Sequence, residues 1–166
     1  MWISKRALVA VLGAAAAALS LAVAVGAVGK SGGHGKPLVK ESLAPSLTTD
    51  PPFHGVSPGG APWELKRGQV RIKRNDKLNL RVKGLVIPAM GTPGGVNTVS
   101  ASLYCGADSE TVAADTTQEV PISRKGNARI HDTSFDVPDT CLAPVILLHP
   151  NGNPDAYIAV DGWRLL

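Results

Sequence analysis

The chain has 166 residues, of which 44% are hydrophobic and 18% charged, with a formal net charge of +4 and two cysteines. That length leaves no room for a (β/α)₈ barrel of about 250 residues or for a Rossmann domain with a partner domain. The hydrophobic content can fill a core, no heptad or G-X-Y period appears, and two cysteines are too few for a disulfide-dense miniprotein, so coiled coil, collagen, full disorder and knottin-like scaffolds are set aside.

Residues 1–29 read as an address. Lys5 and Arg6 precede an uncharged run of 23 residues, Ala7 to Gly29, which ends in Val25-Gly26-Ala27. Basic residues ahead of an apolar run stay on the cytoplasmic side while the following chain crosses the membrane. The small residues at the end suit a signal peptidase, and the run also reaches the ~20 residues that span a bilayer. The segment is therefore a signal peptide or an N-terminal anchor helix. Either way the remainder is exported, secreted or held at the outer face of the cytoplasmic membrane, and meets the membrane only through this segment.

Residues 30–62 are rich in Gly, Pro, Ser and Thr without a sustained period, and are expected to form a disordered linker. Gly55-Val56-Ser57-Pro58-Gly59 matches G-x-S-x-G, but a nucleophile elbow needs a strand before the serine and a helix after it. Gly29-Lys30-Ser31 lacks the leading glycine of a phosphate loop. His34 and His54 are read as solvated.

From Trp63 to Leu166 the pattern alternates with period two, which predicts an all-β domain. Val70 and Ile72 alternate with Gln69, Arg71 and Lys73, and Leu78, Leu80 and Val82 with Asn79, Arg81 and Lys83. Parity predicts a hairpin with Asn75-Asp76-Lys77 as its loop, Ile72 opposite Leu80, Val70 opposite Val82, Arg71 opposite Arg81 and Lys73 opposite Asn79. Further strands are predicted at Leu85–Ile87, Thr98–Tyr104, Thr111–Ala114, Gln118–Ile122, Ala128–His131, Ser134–Val137, Pro144–Leu148 and Ala156–Val160. Short strands with frequent turn signals point to a single small β-sandwich, Ig-like in outline. Val99, Ala101, Leu103, Val120, Ile122, Ile130, Phe135 and Val145 or Ile146 are expected in its core. Trp63 and Trp163 either cap that core or form a sugar-stacking platform; the low aromatic content favours the core. Cys105 and Cys141, outside the cytoplasm, are expected to pair.

Charge is divided along the domain. Residues 63–84 carry eight basic and two acidic residues, net +6, and residues 85–166 four basic and nine acidic, net −5. Arg71, Lys73, Arg81 and Lys83 on the outward face of the hairpin are the anion-binding candidates, suited to an anionic envelope polymer, lipid head groups or an acidic protein. The bland alternative is that Asp108, Glu110, Asp115, Glu119, Asp132 and Asp136 fold back beside the hairpin. Nucleic acid is not expected, because export separates the domain from it and no aromatic residues interleave with the basic ones.

Asn151, Asn153 and Asp155 fall at positions 1, 3 and 5 of a calcium-loop spacing, but Gly152 and Gly162 depart from the rest of that pattern. The same residues suit a hairpin turn between strands. His131 and His149 lack H-x-H, H-x₃-H or HExxH spacing, which argues against a zinc site. No cofactor is expected. The alternative to a non-catalytic binding domain is a small exported metalloprotein or hydrolase using His131 and His149 with nearby acids.

The stretches Trp63-Glu64-Leu65, Gly68-Gln69-Val70-Arg71-Ile72, Gly84-Leu85-Val86-Ile87-Pro88, Thr98-Val99-Ser100-Ala101-Ser102-Leu103, Cys141-Leu142-Ala143-Pro144 and His149-Pro150-Asn151-Gly152 resemble small exported proteins of actinobacterial type. Those combine an N-terminal signal, a single β-rich domain and one cysteine pair. The resemblance implies an exported domain and carries no catalytic or binding residue with it.

Overall fold

The structure, a computed structural model, describes residues 37–73 and 75–162. The signal or anchor segment, His34 and Trp163 lie outside the described residues. Within them the named elements are all strands, and no helix is long and apolar enough to cross a membrane.

The hairpin forms where alternation places it, from β3 (Arg67–Lys73) and β4 (Lys77–Lys83), with Val70, Ile72, Leu78, Leu80 and Val82 all 2% exposed or less. Its parity is as expected but its register is two residues tighter. Ile72 lies opposite Leu78, Val70 opposite Leu80, Gly68 opposite Val82, Arg71 opposite Asn79 and Gln69 opposite Arg81. Lys73 pairs with Lys77, and in the loop between them Asp76 takes the left-handed position, φ 57°. Alternation fixes which face is dry; only the turn backbone fixes the register, and an Asp in the loop tolerates positive φ.

The main departure from expectation lies in residues 37–62, which form structured parts of the domain and not a linker. Val39–Pro45 is a strand, β1, in the middle of the sheet. Its first half, Val39 to Ser42, pairs antiparallel with β3; its second half, Leu43 to Pro45, pairs antiparallel with a late strand, β11 (Ala159–Asp161). A strand that changes partners midway carries the sheet around a corner. Gly68 lets it pass: a Cβ there would lie 2.7 Å from Leu43 Cβ.

On one side of that corner run β1, β3, β4 and β8 (Ala128–Asp132); on the other run β11, β9 (Val145–Pro150), β5 (Thr98–Tyr104) and β6 (Asp115–Thr116), with β7 (Val120–Pro121) also on β5. The two walls that the sequence suggested as separate layers of a sandwich are thus one nine-stranded antiparallel sheet curled into a half-barrel. Its interior joins Ile72, Leu80 and Ile130 from the first wall to Val99, Leu103, Ile146 and Leu148 from the second, with Phe135 and Trp63 completing the cluster. Trp63 is 4% exposed, a core residue and not a surface platform. Thr111–Ala114 and Ser134–Val137 are not strands, although Phe135 is fully buried.

β5 and β9 are buried on both faces. The outer face is covered by the segment that was expected to be solvated. Phe53 and Val56 close a two-residue turn in which His54 and Gly55 have φ of 51° and 79°, and they pack with Tyr104, Leu147, Tyr157 and Val160 as a second, smaller core. β2 (Ser57–Pro58) continues this cover, pairing parallel with β10 (Ala156–Tyr157), and the Tyr157 hydroxyl donates to Pro51 O at 2.9 Å. Cys105 and Cys141 are joined as a disulfide with Cα atoms 5.0 Å apart, tying the end of β5 to the segment leading into β9.

Candidate functional site

Two surfaces of the curled sheet present chemistry. The first is the outward face of β1, β3, β4 and β8. Alternation that turns apolar residues inward turns Lys40, Arg67, Arg71, Lys73, Lys77, Arg81, Lys83 and Arg129 outward. Across the strands Lys40 faces Arg71, Arg67 faces Lys83, Lys73 faces Lys77, and Arg81 faces Arg129. Like charges opposed in this way are destabilising. The positions of the same parity between them are Ser42, Gln69, Asn79 and His131, none of them a carboxylate; Glu41, opposite Val70 and so of the other parity, is nevertheless exposed on β1 beside Lys40.

Several of the later acidic residues hold backbone or hydroxyl groups in loops, while Asp132 ends β8 opposite Leu78. Asp108 accepts from the His54 N–H at 2.6 Å, Asp115 from the N–H groups of Thr116 and Asp136, Asp132 from Ser134, and Glu119 from the Thr98 hydroxyl. All four sequence candidates, Arg71, Lys73, Arg81 and Lys83, are thus on one exposed face. Lys40 and Arg129 were missed because they come from strands remote in sequence from the hairpin. A depression of about 290 Å³ lies at the β4–β8 side, lined by Arg81, Lys83, Asn127 and Arg129.

The structure separates the remaining candidates. The Asn151 side chain accepts from the N–H groups of Asn97 and Thr98 and donates to Gly95 O, and Asn153 Oδ1 accepts from the Asp155 N–H. These oxygens brace turns, as the turn preferences suggested. His131 meets Asn79 Oδ1 at 2.6 Å on the outer face of β8, whereas His149 lies on β9 opposite Ser100. No group of three His, Cys, Asp or Glu among the described residues is placed to hold a metal ion.

The second surface is a pocket of about 410 Å³ on the outer side of β5 and β9. Ser100, Ser102 and Tyr104 from β5 and His149 from β9 line its buried part, and His54, Gly55, Thr111 and Asp155 close it from three loops. His149 Nδ1 lies 2.8 Å from Ala156 O, and a carbonyl can only accept, so Nδ1 carries the proton. Burial pushes the imidazole pKa down, against the smaller opposing effect of its backbone hydrogen bonds, and the ring is neutral. Its Nε2 is a lone-pair acceptor, fully buried and without a protein partner.

His54, which the sequence reading left in solvent, is 3% exposed, holds Glu110 O through Nδ1 at 2.8 Å and stacks on Tyr104 with ring centroids 4.9 Å apart. Burial, and then the nearby Asp155 charge, push the Tyr104 phenol pKa up. One signal could have revealed this site. Val-Ser-Ala-Ser-Leu-Tyr and Val-Ile-Leu-Leu-His are strands without an obviously wet face, and such strands need cover on both sides.

The chain was compared with protein-family models, curated proteins and solved structures, and none of them matches it.

Proposed function

We propose that the chain is an exported, non-catalytic, sandwich-like β-domain that binds an anionic polymer of the cell envelope across its basic face. The observation that carries this reading is the set of eight basic residues on four adjacent strands, whose positions of the same parity hold no carboxylate, Glu41 of β1 being the one exposed acid beside them. Such a face stores repulsion that an anionic partner relieves. Its charges are spread over a sheet surface and do not converge on one point, which suits an extended polyanion better than a single small anion. Lipid head groups and acidic proteins share the same charge and are the competing partners. Support for export comes from the basic leader with its apolar run and from the Cys105–Cys141 pair, which persists in oxidising compartments.

The test is retention of the full chain on phosphocellulose, a phosphate-bearing polymer. The wild type is expected to be retained at moderate salt and released as salt screens the contact. Arg71→Glu combined with Arg81→Glu is expected to abolish retention while leaving the far-ultraviolet circular dichroism unchanged, since both side chains are exposed. Equal retention of a folded double variant would remove this reading.

A further inference from the structure

We propose that the pocket over β5 and β9 is a binding site for a neutral, hydroxyl-rich small molecule, a polyol or a single sugar ring, which donates a hydroxyl proton to His149 Nε2. The site is independent of the basic face. Its central feature is a built acceptor: a side chain only 1% exposed, held by a 2.8 Å hydrogen bond to Ala156 O, lining a cavity, with its second nitrogen unpartnered. Leaving such a group unpaired is destabilising, and a ligand donor removes that cost.

The chemistry of the lining selects the ligand class. No Lys or Arg lines the pocket, and its one formal charge is the Asp155 carboxylate, so an anion has nothing to pair with. The innermost groups, His149, Ser100 and Ser102, are at most 3% exposed and uncharged, whereas Asp155 is exposed at the rim. An ammonium group driven to that floor would be desolvated against a neutral imidazole, which is unfavourable. A hydroxyl has no charge to desolvate. It can donate to Nε2 and accept from a serine, while a second hydroxyl donates to Asp155 at the rim. Tyr104 and His54, stacked on each other, border the pocket and add apolar contact area beside its polar groups. The volume, about 410 Å³, falls in the usual range for small-molecule pockets.

The experiment titrates the full chain, labelled with ¹⁵N, with glucose and glycerol, and in separate arms with methylammonium chloride and zinc chloride. The His149 imidazole nitrogens are followed. The expected result is a saturable shift of the Nε2 resonance with glucose or glycerol. It should be retained in the Arg71→Glu, Arg81→Glu variant, and in His149→Phe, which has no imidazole to follow, binding read from the backbone amide resonances of Ser100 and Ser102 should be weakened at least about tenfold. Should His149→Phe not fold, the wild-type Nε2 shift and its weakening in the rim variant Asp155→Asn decide the matter. The proposal is overturned if Nε2 responds to methylammonium or zinc but to neither polyol, or if no probe moves it.

Discussion

Asp161 brings a carboxyl group into the corner where β11 meets β1. It is 9% exposed, and its Oδ1 accepts from the Ile146 N–H at 2.8 Å. Burial pushes its pKa up to about 6, the Glu41 charge adds to the rise, and the Ile146 hydrogen bond opposes it. A carboxyl in an unfolded chain titrates near 3.9, so the folded state binds this proton more tightly. Its stabilising contribution is complete below about pH 4 and is lost as pH rises through about 6, an effect on the order of 3 kcal/mol. Asp161→Asn keeps an oxygen for Ile146 and removes the charge. The variant should be the more stable protein at neutral pH, with the advantage vanishing towards pH 4, as read by denaturant unfolding at a series of pH values. His149 works in the opposite sense. Its lowered pKa gives a contribution that is present above the unfolded value of about 6.5 and lost as pH falls through the folded one. Taking the difference between wild type and Asp161→Asn cancels it. A pH-independent difference would show that the Asp161 carboxyl is not held in a dry corner.

At the scale of elements, the corner depends on close approach of β1 to β3 at Gly68, where an added Cβ meets Leu43 Cβ and Leu65 Cδ2. Both neighbours sit in or against the main core, so neither yields freely. Gly68→Ala should destabilise by about 2 kcal/mol, the ordinary cost of overpacking, seen as an earlier denaturant midpoint. An unchanged midpoint would mean that β1 does not press on β3 there.

The same strand shows what the residues announce and what they conceal. β3 and β4 were legible because each keeps one partner on each side and one face inward, so the alternation Val70, Ile72 and Leu78, Leu80, Val82 survives intact. β1 was not legible because it changes partner after Ser42. Its burial runs Val39 in, Lys40 to Ser42 out, then Leu43 and Ala44 both in, and no period of two remains. The basic face was half visible, since Arg71, Lys73, Arg81 and Lys83 come from one local hairpin, while Lys40 and Arg129 join it only through pairing with β1 and β8. The pocket was hidden for the same reason: His54 and His149 meet around it only because a Pro- and Gly-rich stretch folds over the outer face of β5 and β9.

For the whole molecule, the disulfide closes a separation of 36 residues and anchors the chain on both sides of the loop that carries Asp108 and Glu110 to His54. On a chain-entropy view its loss costs about 4 kcal/mol, a large share of the stability of a domain this size. Reduction should therefore lower the melting temperature markedly. Two titratable thiols in folded protein recovered from outside the cell would contradict the pairing. The basic face and the pocket lie on different walls of the curled sheet, so charge reversal at Arg71 and Arg81 and loss of the His149 imidazole change one surface each.

The corner also has a consequence for the order in which the chain becomes a protein. Among the described residues, the strand pairing in the sheet path that joins the two walls is between β1 and β11, through Leu43 with Asp161, Ala44 with Val160 and Pro45 with Ala159. Those partners belong to the opening and closing segments of the described chain. A polypeptide delivered from its amino end can assemble the first wall early, but the latch waits for Ala159 to Asp161 to arrive. Until then the half-built sheet presents a raw edge able to recruit foreign strands, and a product cut short before Ala159 would keep that edge permanently.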